Sequence, residues 1–259
     1  MPAPPDPFAE VAALDGVGAA AAHARDAIDA LLRHPVMRRD AARVAAASAT
    51  RGATASATLA GGDIARVEDP LLQGALRTTA EVPMLAARWM QSPRQVLARL
   101  HVLAARDLAE PASLGRPGAA VDQARFDQLL TLVVGETAAP AVVVAALVHG
   151  ELLALRPFAP RDQEAGIPRW NGGSLDGDGV DGIVARAAER VVLVASGVDT
   201  KAVSVPEAGH HDLGRAYHPL LDAYSSGEPD GVAAWVRHCC EAYARGAEAG
   251  LAICVDSTM

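Results

Sequence analysis

The chain has 259 residues, 51% of them hydrophobic and only 3% aromatic, and carries a formal charge of −8. That charge excludes a protein that grips nucleic acid nonspecifically, which needs a basic face. The apolar content excludes a disordered chain, and a core built mainly from Ala, Val and Leu favours helix over strand, so the expected fold class is all-α.

Residues 1–10, with Pro2, Pro4, Pro5 and Pro7, read as a flexible N-terminal tail that Phe8 anchors. Residues 11–259 read as a single helical domain. Ala9 to Leu32 has helical periodicity, interrupted near Asp15-Gly16. Arg38 to Leu59 is a second helix, stopped by Gly61-Gly62. Asp69-Pro70 opens a third, which Pro83 should break or kink. Ser92-Pro93 caps the next, with Val96, Leu97, Leu100 and Leu103 on one face. After a loop over 110–120, Val121 to Val134 is helical, and Pro140 opens the most apolar helix, which Pro157 ends near Leu155. Residues 159–180 are rich in Gly, Asp and Pro and lack periodicity. Asp181-Gly182 then precedes a helix from Ile183 to Ala195, and Ala202 to Val205 reads as a short strand. Helices over Leu213–Tyr224 and from Pro229 to Gly246 or beyond complete the chain.

The start lacks the basic and apolar segments of a signal peptide, and no apolar run is long enough to span a bilayer. Cys239, Cys240 and Cys254 show no metal or redox spacing and read as free thiols of a cytoplasmic protein.

Chemistry concentrates around 149–186. His149 and Arg156 lie seven residues apart, about two turns, and so share a helix face. The N-terminus of the helix after Asp181-Gly182 favours an anion, and Arg186 in its first turns is a candidate phosphate clamp. The plainer reading is an Asp-capped helix after a loop, with His149 a core histidine and Arg186 an ion-pair residue. Adjacent His210-His211 reads as a loop pair whose rings point apart and which binds no metal without further ligands. His238-Cys239-Cys240 reads as core packing on an amphipathic helix.

The segment Ala145-Ala-Leu-Val-His149-Gly-Glu-Leu-Leu-Ala-Leu-Arg156-Pro-Phe158 resembles the core of the Fic family, in a divergent actinobacterial-type branch. That family carries the motif His-x-Phe-x-(Asp/Glu)-Gly-Asn-Gly-Arg-x-x-Arg. The resemblance implies a Fic-like helical bundle around a central helix-loop-helix. It implies protein nucleotidylyltransferase (AMPylation-like) activity, with ATP and Mg²⁺ as cofactors, a target protein and a homodimer. On this alignment Phe158, Gly179, Asp181, Gly182 and Arg186 belong to the nucleotide site. Asp181 stands at the asparagine position, Gly182 at the second glycine and Arg186 at the final arginine. The motif is degenerate. Arg156 replaces the catalytic histidine, and a guanidinium has no acceptor with which to serve as general base. Ile183 replaces the first arginine, Pro160 the acidic metal ligand, and an insertion over 161–180 lengthens the loop. Within this expectation Arg156 stabilises charge, His149 or Asp178 serves as base, and Asp178 supplies the carboxylate for Mg²⁺. Ser56 and Gly61 match the family's inhibitory Ser-x-x-x-Glu-Gly, with Ala60 at the glutamate position, so Arg186 is expected to lack its inhibitory partner. The alternatives are a catalytically inactive nucleotide sensor or interaction module, and a helical protein with no ligand.

Overall fold

The computed structural model describes residues 5–118, 121–158 and 177–256. In chain order its helices are α1 (Pro7–Ala12), α2 (Val17–Arg33), α3 (Ala41–Leu59), α4 (Pro70–Ala86), α5 (Pro93–Ala105), α6 (Gln123–Val134), α7 (Ala141–Leu155), α8 (Gly179–Ala195), α9 (Pro206–Leu213), α10 (Tyr217–Ser225) and α11 (Pro229–Asp256). Short 3-10 turns cover Pro35–Arg38 and Gly214–Ala216. The fold is all-α, with no strand among the described residues. Residues 202–205, expected as a strand, are instead irregular, and the Val205 amide donates to the Gly246 carbonyl of α11.

One contiguous core runs from Phe8 to Cys254. At its centre lies α7, whose residues Val142 to Gly150 are all buried, so it has no polar face. α8 packs along it with every residue from Gly179 to Leu193 buried, including Arg186, Glu189 and Arg190. α4 and α5 lie against α8, and α11 packs against α2, α7, α9 and α10. Trp235 on α11 ties two of these helices together, donating its indole N–H to the Ala146 carbonyl of α7 at 2.9 Å.

Local signals explain most boundaries. Asp69 caps α4 by accepting from the amides of Leu71 and Leu72. Asp122 caps α6 through the Arg125 amide. Gly16, at a φ of 72°, makes the left-handed corner between α1 and α2. Two expectations need correction. The N-terminal tail is shorter than ten residues, because Asp6 caps a helix that begins at Pro7 and buries Phe8. Pro83 does not end α4: its ring sits on the exposed face, so it interrupts only a solvent-side hydrogen bond while Val82, Leu85 and Ala86 stay buried.

Candidate functional site

α7 ends at Arg156, held in a left-handed conformation at φ 46° before Pro157. Phe158 does not face a ligand site. It is buried, stacked on the His101 ring at 4.6 Å and edge-on to Phe126 at 6.5 Å. The expected insertion lies outside the described residues up to 176, as does Pro160.

α8 begins at Gly179, four residues earlier than the sequence suggests. Asp181 and Gly182 therefore lie within the first turn, and Asp178 takes the N-cap position without making a side-chain cap hydrogen bond. The helix start meets the end of α3 instead. The amides of Asp178 and Gly179 donate to the carbonyls of Leu59 and Ala60, each at 3.2 Å. Gly177 and Gly179 take positive φ to make this junction.

The Asp178 carboxylate folds over Gly182, where any Cβ would collide with it, and binds Arg186 through both oxygens at 2.5 and 3.0 Å. The remaining donors of Arg186 are taken as well. Nε donates to Ser56 Oγ at 2.9 Å, Nη2 to the Ser56 carbonyl at 2.9 Å, and Nη1 also to the Tyr217 hydroxyl at 3.1 Å. A guanidinium has five N–H groups, and all five are engaged here by the protein. Arg186, expected to lack a carboxylate partner, therefore has one. Asp178 supplies the carboxylate, and Ser56 touches the same guanidinium. Burial works against the charge of Arg186, and the Asp178 carboxylate more than restores it, so its pKa stands above the ordinary arginine value.

Beside this pair, Arg156 Nε donates to Asp181 Oδ2 at 2.8 Å. Burial raises the Asp181 pKa, Arg156 opposes the rise and the nearby Asp178 charge adds to it. Two arginine–aspartate pairs thus share one helix start, the inner one sealed and the outer one reaching solvent at Arg156, which is 34% exposed. Both carboxylates are bound to guanidinium groups, and Asp178, expected to hold Mg²⁺, is engaged by Arg186 through both oxygens.

His149 is not at the helix start. It lies fully buried on α7, and its Nε2 is 2.7 Å from the Tyr217 hydroxyl. Its Nδ1 contacts the Glu189 carboxylate. Glu189 also receives His210 Nε2 at 3.1 and 3.2 Å, and His210 Nδ1 is 3.3 Å from His238 Nε2. Burial pushes the His149 pKa down, against the pull of Glu189. Burial opposes ionisation of Glu189, but the two imidazoles outweigh it and hold the carboxyl well below its usual range. His210 and His211 are helical, on α9, and not in a loop. His210 points inward and His211 outward, where it faces Asp212 at 3.6 Å.

The sequence had no signal for Tyr217, which bridges the two clusters, nor for the meeting of four separate helices at Glu189. The spacing of Glu189 three residues after Arg186 does place both on one face of α8. No helix of the described residues is long and apolar enough to cross a membrane. Compared with known proteins, the chain matches no protein-family model and no curated protein sequence.

Proposed function

We propose that this chain is a binding module for a phosphorylated ligand, with a nucleotide as first candidate, and not a nucleotidylyltransferase of the usual Fic kind. The observation that carries the reading is the pair of carboxylates at the α8 start. Asp178 and Asp181 stand on Arg186 and Arg156 as two phosphate oxygens would, at the positive end of a helix. The site is therefore self-closed, and a ligand enters by displacing Asp178.

Three features argue against AMP transfer. Arg156 cannot take a proton at the histidine position, and loss of a general base costs about 10²–10⁴-fold in rate. His149, the alternative base, is fully buried and contacts Glu189. Asp178, the other alternative, is bound through both oxygens to Arg186. A target protein and a homodimer remain part of the Fic-like reading and add nothing to the site's chemistry.

Calorimetry with ATP, without and with Mg²⁺, tests the proposal. The Asp178→Asn variant, which keeps an acceptor but drops the competing charge, is expected to bind at least about tenfold more tightly than wild type, about 1.4 kcal/mol. Absence of binding in both proteins leaves a helical scaffold with an internal ion pair. Transfer of AMP by wild type would overturn the assignment of a pure binding module.

A further inference from the structure

The second cluster of buried polar groups lies deeper than the helix start and is independent of the reading above. His149 on α7, Glu189 on α8, His210 on α9 and Cys239 on α11 converge from four helices. All four are fully buried, and one ligand-type atom from each lies within 4.8 Å of the others. We propose that these four residues form a structural site for a divalent transition metal, with Zn²⁺ as the ion of choice.

The donor set is two imidazoles, one carboxylate and one thiol, which suits a tetrahedral Zn²⁺ site closed to solvent. Two features of the surroundings support it. Each histidine turns one ring nitrogen to the Glu189 carboxylate and holds the other against a fixed partner, Tyr217 at 2.7 Å for His149 and His238 at 3.3 Å for His210. Metal-binding histidines are oriented through the second nitrogen in this way. The cluster also sits among aromatic groups, with Trp235 at 5.2 Å from the His149 ring, so its donor atoms are shielded from water. An ion balances Glu189 and a Cys239 thiolate together, and the Cys239 proton leaves to solvent as the Zn–S bond forms. Because all four groups are buried, uptake accompanies folding.

The full-length chain, produced without a histidine tag, is assayed for metal by elemental analysis. It is then unfolded in denaturant with a chelator and refolded with and without Zn²⁺. The expected result is one Zn²⁺ per chain as purified, and a lower Tm after metal-free refolding that Zn²⁺ restores. Refolding with Co²⁺ should give a sulfur-to-cobalt charge-transfer band that Cys239→Ser abolishes while visible ligand-field bands persist. Negligible metal as purified, with a Tm indifferent to Zn²⁺, overturns the proposal and makes the cluster a hydrogen-bond network. A charge-transfer band absent from wild type or unchanged in Cys239→Ser overturns the four-residue ligand set. The elemental analysis needs no variant, so a poorly folding mutant does not blunt the test.

Discussion

His101 accepts the Gly115 amide on its Nδ1 at 2.9 Å, which only an unprotonated nitrogen can do. Burial lowers its pKa from 6.5 to about 4. The unfolded chain therefore binds a proton that the folded chain refuses. The contribution of this residue to stability is whole above pH 6.5 and is lost as pH falls from there towards 4, by about 3 kcal/mol in all. His101→Asn, whose side-chain oxygen accepts in place of Nδ1, should flatten that acid limb in denaturant titrations run at several pH values. An unchanged limb would assign the loss to other groups. Phe158, stacked on the same ring, illustrates what a motif match alone conceals. The Pro-Phe pair was visible in the sequence, but its ring fills core instead of lining a ligand site. Phe158→Ala is expected to cost about 3–5 kcal/mol in unfolding free energy, as a buried aromatic deletion does.

Among the helices, periodicity and capping residues were legible because they are local. Asp69, Asp122 and Gly16 each act within a few residues of themselves. The start of α8 was misplaced because its cap is not local: the amides that open it are satisfied by carbonyls at the end of α3, over a hundred residues away in sequence. Close helix crossings are equally hidden. Gly74 of α4 lies against the Ala104 carbonyl of α5, and Gly209 of α9 against the Ala242 carbonyl of α11, each too near for a Cβ. Gly74→Ala and Gly209→Ala should each destabilise by about 1–3 kcal/mol through overpacking. Gly18→Ala serves as the control. It is helical, and its nearest neighbour is 4.0 Å from the added Cβ, so thermal unfolding should show a neutral or slightly stabilised protein.

Across the whole molecule, a buried polar chain links the two clusters, from Ser56 through Arg186 and Tyr217 to His149, Glu189, His210 and His238. Composition foretold a helical protein with an Ala-, Val- and Leu-rich core, but not a charged seam through that core. Buried charges are paired or they are not tolerated, and pairing depends on helices far apart in sequence. The site residues Arg156, Asp181, Asp178 and Arg186 were identifiable as a group because they lie at the ends of one stretch of sequence rich in Gly, Asp and Pro. That Asp178 occupies Arg186, and that Phe158 and His149 belong elsewhere, follows only from three-dimensional placement.

Thermal unfolding of Asp178→Ala in rising phosphate or ATP tests the closed anion site most directly. Removing one partner of a buried pair should cost about 3–5 kcal/mol. An anion seated on Arg186 should return about 2.7 kcal/mol of that at one hundred times its Kd. The account predicts this recovery in the variant and a much smaller shift in wild type. A variant that stays destabilised at every anion concentration, or a wild type that gains as much, would contradict it.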